Sequence, residues 1–499
     1  MGPDRTSAPG LFFVDRERTM DGEALTFHQG TDTATDTVPG AEDFHRGCAL
    51  LAEACSAEAA DHFLAAVQAN PGLGEAWANL GITLGEVGRH RAAEICFRNA
   101  LTLLPGVAAI HNSLGRLLAD LERFPEAEAA YRQALALDPT LGPAHSNLGV
   151  LLACLNRDGA AEDCFRQALA LNPNHAQARF NYSYLLLRQG RWAEAWPLLE
   201  ARLAPENRLG IHLPNLPFPQ WRGEPLAGRS LVVWFEQGLG DEIQFCRYVP
   251  RLKAQGVSRL TLVCRAPLLP LFQTLAGADE VVAWSPELAL APHDFCVLPL
   301  SLPALFHTSL EDLPATIPYL SVSPERREYW RCRLPADGFR LGLVWRGNSR
   351  FDNDRHRSLP DLHVLAPLWS LPGLRLICLV PPGPGVTLPT DLPLLDVGPE
   401  LRDFADTAAV LEQLDLLISV DTAVVHLAGA LGLPAWLLLS QFKPDWRWLQ
   451  AREDSPWYPS LRLFRQETLD DWGPVVAAVK AALAARLAQG APGSGSGQA

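Results

Sequence analysis

Leu114-Gly115, then Ala127 with Tyr131, then Ala134 and, five residues on, Pro139: this stretch decides the fold of the first half, because it recurs. Upstream the same places hold Leu80-Gly81, Ala93, Phe97, Ala100 and Pro105. Downstream they hold Leu148-Gly149, Ala161, Phe165, Ala168 and Pro173. With Pro71, the prolines form a series spaced 34 residues apart. Self-similarity at such a period marks stacked units, each too small to bury its own apolar face. Glycine and alanine let paired helices approach closely, the aromatic ring fills the gap, and proline ends the second helix. The first half is therefore expected to be an α-solenoid.

The pattern resembles the tetratricopeptide repeat, a helix–turn–helix unit. About five units are expected over residues 39–207. The first keeps Gly47, Ala59, Phe63 and Pro71, and the last has Tyr182-Ser183 where the others have Leu-Gly, as end units do. One register position carries Asn79, Ser113, Asn147 and Asn181 in turn. A resemblance to the repeat domain of O-GlcNAc transferases implies an asparagine ladder that holds peptide backbone, with Asn79, Asn147 and Asn181 as peptide-binding residues. Local hydrogen bonding between helices is the alternative.

A chain of 499 residues is too long for one core, so two or three domains are expected. The formal charge of −14 argues against a nucleic-acid partner, whose phosphates it would repel. Ten cysteines are scattered with no C-x-x-C and no histidine at metal-ligand spacing, which suits buried thiols in a reducing, cytoplasmic setting. No basic segment followed by an apolar one opens the chain, so no secretory signal is expected. The most apolar stretch, Ala423 to Leu439, holds His426, Gly432 and Pro434. It is expected to be a buried helix followed by a buried strand, not a transmembrane segment.

Residues 1–38, rich in Thr, Asp and Gly, are expected to be disordered, and 488–499 to be a flexible tail. After a Pro-rich linker (208–227) the grammar changes. Short apolar runs at Leu231–Phe235, Leu260–Cys264, Glu280–Ala283 and Phe295–Leu298 alternate with helical stretches. A second series follows at Leu341–Trp345, Leu376–Val380, Asp415–Val420 and Ala435–Leu439, with a last helix over Asp470–Leu487. Strands alternating with helices predict parallel sheets covered on both faces. Two Rossmann-like lobes are expected, 228–325 and 326–487, facing a cleft.

Ligands of open α/β sheets bind at the carboxyl ends of strands, so three strand-end loops are the candidates for a site. In Gln237-Gly238-Leu239-Gly240-Asp241 the glycines allow a tight turn and Asp241 opens the next helix, where an N-cap is the alternative role. The third glycine of a dinucleotide fingerprint is absent, because Gln244 stands there. Trp345-Arg346-Gly347-Asn348, followed by Asp352 to Pro360, brings arginines, an Asn and a Ser to one loop, which suits a diphosphate. Asp352-Asn353-Asp354 is a short and common triplet that the adjoining arginines could neutralise, and no metal site is expected there. In Ser419 to His426 a buried strand stops and a helix of small residues begins, offering N–H groups to an anion. An Asp N-cap with a buried histidine is the alternative. The aromatics from Trp446 to Tyr458 suit either a ring-stacking surface or packing between lobes.

Gly240-Asp241 with Pro250, Arg357-Ser358-Leu359-Pro360, and Asp421-Thr422-Ala423 with His426 together resemble glycosyltransferase family nine, the heptosyltransferase-like enzymes. The resemblance covers about 228–487 and implies two lobes in the GT-B arrangement. It implies a nucleotide-diphosphate sugar as donor substrate, no further cofactor, and no metal. Asp241 would be the base that deprotonates an acceptor hydroxyl. Gly240, Gly347, Asn348, Arg357, Ser358, Asp421, Thr422, Ala423 and His426 would line the nucleotide-sugar site. Three departures stand out. Arg357 replaces a lysine, Ala423 replaces a glycine, and Pro381-Pro382-Gly383 occupies the place of an acidic residue. The expected function is sugar transfer to a protein or glycan, with the repeats binding a protein or peptide partner. The rival is a non-catalytic scaffold with a degenerate transferase half.

Overall fold

A computed structural model describes residues 38–204, 216–314, 316–349, 351, 353–383, 386, 388 and 392–490. The expected disordered segment before 38, residues 208–215 of the linker, Asp352, Pro384-Gly385 and the end of the tail lie outside the described residues. The chain divides into two compact units between Leu185 and Leu186.

Helices α1 (Ala41–Ala52) and α2 (Ser56–Ala69) form the first pair, and α3 (Gly74–Glu86) and α4 (His90–Leu103) the second. They are followed by α5 (Ala108–Asp120) with α6 (Phe124–Leu137), α7 (Gly142–Cys154) with α8 (Asp158–Leu171), and α9 (Ala176–Arg188). Pro71, Pro105, Pro139 and Pro173 lie in the turns between pairs. A Cβ added to Gly115 would stand 2.8 Å from the Tyr131 ring, and one on Gly81 2.9 Å from Phe97. Gly149 faces Phe165 and Gly47 faces Phe63 in the same way. Glycine is therefore fixed at this position by a ring seated against the helix backbone. The paired alanines Ala93, Ala127 and Ala161 are fully buried beside it.

Two further devices repeat with the helices. Trp77, His111 and His145 each bond the carbonyl of the proline six residues earlier, at 2.9, 3.1 and 3.0 Å. Glu94 pairs with Arg98 in its own helix and with Arg123 of the next unit, and Glu128 pairs likewise with Arg132 and Arg157. These links act between nearest neighbours, which is how a solenoid acquires its cooperativity.

The second unit begins inside the last expected repeat. Helix α10 (Trp192–Leu199) and the 3₁₀ turn Glu200–Leu203 pack with the sheets that follow. Trp192 stacks on Trp457 with centroids 5.0 Å apart, Trp196 meets Trp446 edge-on, and the Trp196 indole donates to Thr308 O at 2.8 Å. Arg202, wholly buried, donates to Glu236 at 2.6 Å and to Ser301 at 2.8 Å. These contacts set the division about twenty residues before the expected linker, since a helix that matches the repeat spacing spends its apolar face on the other half.

The chain then runs β1 (Ser230–Val233), α11 (Leu239–Phe245), α12 (Val249–Ala254), β2 (Arg259–Cys264), α13 (Leu269–Phe272), β3 (Glu280–Ala283), β4 (Phe295–Val297) and α14 (Leu302–Leu305). After α15 (Pro324–Arg331) come β5 (Phe339–Val344), α16 (Asp354–Arg357), β6 (Leu374–Cys378), β7 (Leu394–Asp396) and α17 (Phe404–Leu411). The last elements are β8 (Leu416–Val420), α18 (Ala423–Ala430), β9 (Ala435–Leu439), β10 (Leu461–Arg465) and α19 (Gly473–Gly490). Two sheets result, β3-β2-β1-β4 and β10-β9-β8-β5-β6-β7, and every pairing is parallel. Strands β8 and β9 are buried at every residue, as continuous apolar runs in a parallel sheet must be. Ala423–Leu439 is thus a buried helix and strand, and among the described residues no helix is long and apolar enough to cross a membrane.

Candidate functional site

In each sheet the strand order reverses once. The chain moves from β1 outward through β2 to β3, then returns to place β4 on the other side of β1. It moves from β5 through β6 to β7, then returns to place β8 beside β5 and continues outward to β9 and β10. At such a reversal the loops leave in opposite directions and open a crevice at the carboxyl ends of the strands. The loop after β1 leads into α11, and the loop after β8 leads into α18. These two helix starts touch: a Cβ on Gly240 would lie 2.8 Å from His426 and 3.5 Å from Ala423. Gly240 therefore serves a close approach between helices.

Asp241 is the third residue of α11, not its N-cap, and its Oδ2 accepts from the Gly238 N–H at 2.8 Å. Its other oxygen takes a short hydrogen bond from Arg447. Burial pushes the Asp241 carboxyl up, while the Arg447 charge opposes the rise. Arg447 is itself a hub. It donates to Gln244 Oε1 in another short bond and grips Asp445 at 3.0 and 2.9 Å. Next along the same helix, buried Glu242 is pushed up to about 7 by burial, against the pull of Arg265, to which it is bonded at 2.7 Å.

Across the contact, Asp421 accepts from the Trp448 indole at 2.9 Å and lies 3.9 Å from His426 Nε2. Burial and then the Asp445 charge push Asp421 up to about 6, with Arg357, Trp448 and Arg447 opposing. His426 is held neutral well below its ordinary range by burial and by Arg447 and Arg247, and its Nδ1 bonds Tyr458 OH at 3.1 Å. Thr422 is the N-cap of α18, its hydroxyl 3.2 Å from Ser419 Oγ and its carbonyl accepting from Val425 N–H at 3.1 Å, which leaves the N–H groups of Ala423 and Val424 at the helix start without a helical acceptor.

The loop after β5 forms the third wall. Gly347 N–H donates to Ser358 Oγ at 2.9 Å, and Ser358 donates to Asp354 at 2.8 Å. Arg357 also binds Asp354, at 3.1 Å, and lies 4.2 Å over the Phe351 ring. A Cβ on Gly347 would come within 2.5 Å of the Arg357 guanidinium, so the glycine makes room for it. The Asn348 carbonyl accepts from Phe351 N–H at 3.0 Å and closes the turn. Of the Asp-x-Asp triplet, Asp354 is committed to Arg357 and Ser358, and Asp352 is outside the described residues. Among the described residues no three His, Cys, Asp or Glu side chains are grouped to hold a metal.

Gly240, Asp241, Asp421, Thr422, Ala423 and His426 thus come together, and the turn bearing Gly347, Asn348, Arg357 and Ser358 stands on the strand beside β8. Asn79, Asn147 and Asn181 do not belong to this site, and they do not face an open surface. All three are fully buried. Asn147 donates to Asn112 at 3.0 Å, Asn181 accepts from Gln177 at 3.3 Å, and Asn79 reaches Cys48 Sγ at 3.9 Å. Asn79 and Asn147 thus bond between helices of neighbouring repeats, while the bond of Asn181 to Gln177 lies within α9. Trp446, Trp448, Trp457 and Tyr458 are likewise buried packing residues rather than an open stacking surface. Sequence reasoning missed the roles of Arg447 and Asp445, whose only signal was the acidic and basic residues set among those aromatics, and read Gln244 only as the residue standing where a third glycine would.

Comparison with known proteins assigns the helical half. Tetratricopeptide-repeat models match residues 74–105, 106–174 and 155–208. Residues 74–208 are tetratricopeptide repeats. Solved structures similar to the chain include a thermophilic TPR protein of Thermus thermophilus, 23% identical, covering 34% of this chain and 94% of that one with a TM-score of 0.32. Another is PilF of Pseudomonas aeruginosa, 21% identical over 32% of this chain and 74% of that one, with a TM-score of 0.30. A curated relative, protein FlbA of Caulobacter vibrioides, is 29% identical over 325 residues. The match covers 60% of this chain and 53% of FlbA, so the chain spans about half the length of that relative.

Proposed function

We propose that the α/β half is a GT-B glycosyltransferase that moves a sugar from a nucleotide-diphosphate sugar to an acceptor hydroxyl on a protein or glycan. The repeats bind its protein partner. The observation that carries this reading is the apposition of the two strand-order reversals at Gly240 and His426. A crevice between two such reversals, with acid chemistry on one side and cations and helix N–H groups on the other, suits group transfer between two bound molecules.

In this reading the donor lies against the second sheet. Arg357 and the first-turn N–H groups at Thr422 and Ala423 hold its diphosphate, and Asp421 fixes the loop through Trp448. Asp241 removes the proton from the acceptor hydroxyl as that oxygen bonds the anomeric carbon and the bond from carbon to diphosphate oxygen breaks. Burial raises the basicity of Asp241, and Arg447 keeps it ionised and aimed. Charge accumulating on the diphosphate is met by Arg357 and the N–H groups, so the step requires no metal.

One observation favours the scaffold as a second reading: both oxygens of Asp241 are already engaged, by Gly238 and by Arg447. The separating experiment is release of nucleoside diphosphate in the presence of acceptor protein or glycan. Transfer should fall by roughly 10²–10⁴ in Asp241→Asn with nucleotide affinity nearly unchanged. Equal turnover in the variant would remove Asp241 from the chemistry.

A further inference from the structure

The chain uses arginine almost throughout; Lys253, Lys443 and Lys480 are its only lysines among 42 basic residues. Lys253 pairs with Asp279, and Lys480 lies on α19. Lys443 is different. It sits in the turn after β9, half-buried, and among the described residues no carboxylate lies within ion-pairing distance of it. Its ammonium lies over the Phe442 ring, 5.2 Å from the ring centroid, and its charge also bears on His356, which is held below its ordinary range chiefly by burial. Around it the other charges are matched: Arg447 by Asp241 and Asp445, and Arg357 by Asp354.

The backbone at Lys443 is also held in an unfavourable form. Its φ is 48°, in the left-handed region that non-glycine residues seldom adopt, and Pro444 follows, which favours extended backbone at the preceding residue. Such a conformation persists only where the surroundings over-determine it, and it clusters where a side chain must be aimed. Here the surroundings do so. Phe442 N–H donates to Ser440 Oγ at 3.1 Å, Gln441 N–H donates to Gln466 at 3.3 Å, and Asn353 Nδ2 donates to the Lys443 carbonyl at 3.3 Å. The last bond ties the lysine turn to the turn that carries Arg357 and Ser358. Strand β9 neighbours β8, whose end carries Asp421 and Thr422.

The geometry points to Lys443 as a phosphate-binding residue, an unpaired cation strained into place to receive a phosphate group beside Arg357. This rests on the donor site proposed above, where the phosphate is the donor's diphosphate. An ammonium on a flexible stem complements the planar arginine fork by following a phosphate oxygen as a point charge.

The test is isothermal titration of the full chain with ADP, UDP, GDP and CDP, with the matching nucleosides, and with inorganic pyrophosphate. It compares wild type, Lys443→Gln, Lys443→Arg and Lys443→Gly. Lys443→Gln is expected to weaken the preferred nucleoside diphosphate at least tenfold and leave its nucleoside unchanged, with Lys443→Arg restoring most of the loss. Lys443→Gly, which relieves the backbone, should melt no lower than wild type yet bind as poorly as Lys443→Gln. A purely structural lysine would instead lower the melting temperature. Nucleoside diphosphate bound equally by wild type and Lys443→Gln overturns the inference and leaves the transferase reading standing. Pyrophosphate bound through Lys443 with no nucleotide preference supports the inference and sinks the nucleotide-sugar reading. No binding of any of these phosphates overturns it.

Discussion

Replacing Arg447 by methionine should be among the most costly single changes in the α/β half, and the cost should depend on pH. The guanidinium is almost wholly buried and is shared between Asp241, Asp445 and Gln244. Methionine retains an apolar stem of similar length but loses the guanidinium over Trp446 and Phe245 and leaves two carboxylates without their counter-charge. Removing one partner of a buried ion pair costs about 3–5 kcal/mol, because the charge left behind must be desolvated or neutralised. Burial already pushes Asp241 upward, and Arg447 is the group that opposes it. Without Arg447 its folded-state pKa rises further above the unfolded value near 3.9, so the folded state binds the proton more tightly. A raised carboxylate favours the fold at low pH and loses that contribution as pH rises through the folded value. The deficit of Arg447→Met should therefore be largest at pH 7–8 and shrink toward pH 5. Urea melts at several pH values measure it, and a double-mutant cycle with Asp241→Asn isolates the pair. Asp241→Asn should recover at least about 1 kcal/mol of the loss at neutral pH. A deficit below about 1 kcal/mol, or one independent of pH, would refute the hub.

Two further outcomes follow from the same reasoning. Gly115→Ala drives a methyl group into Tyr131 and should cost about 1–3 kcal/mol by overpacking, read as a lower midpoint in the denaturant melt of the repeats. Gly85→Ala, where a Cβ meets nothing within 4 Å, is the control and should be neutral or slightly stabilising. Asp421, pushed up to about 6, favours the fold below about pH 4 and loses that contribution, up to about 3 kcal/mol, as pH rises through 6. Asp421→Asn should flatten stability against pH in that window, and an unchanged profile would show that Asp421 does not titrate there.

Most of the architecture was legible because parallel strands buried on both faces appear as unbroken apolar runs. Leu416–Val420 and Ala435–Leu439 are of this kind. The two strands not foreseen, β7 and β10, are the edges of the larger sheet. One has only three residues, and the other, Leu-Arg-Leu-Phe-Arg, is interrupted by an arginine on each face, so neither makes a continuous run. The glycine–aromatic pairs of the solenoid were legible because both partners lie within one period. Asp241 and His426 were legible from strand-end position. Arg447 was not: it meets Asp241 across more than two hundred residues of chain, and no local spacing encodes that contact. The same holds for α10, whose sequence keeps the repeat grammar while Trp192, Trp196 and Arg202 serve the other half. The asparagines show the converse limit, since their register fixed a common face but not whether a neighbouring helix covers it.

The central claim is a nucleotide-sugar site at the carboxyl ends of β5 and β8. Its most direct test is a thermal-shift panel of ADP-, UDP-, GDP- and CDP-sugars on wild type and Arg357→Ala. A ligand at ~100 times its dissociation constant stabilises the folded state by about 2.7 kcal/mol, which gives a clear rise in melting temperature. The account predicts a rise with one nucleotide class that Arg357→Ala abolishes. No rise with any of the four, or a rise that Arg357→Ala leaves intact, would contradict it.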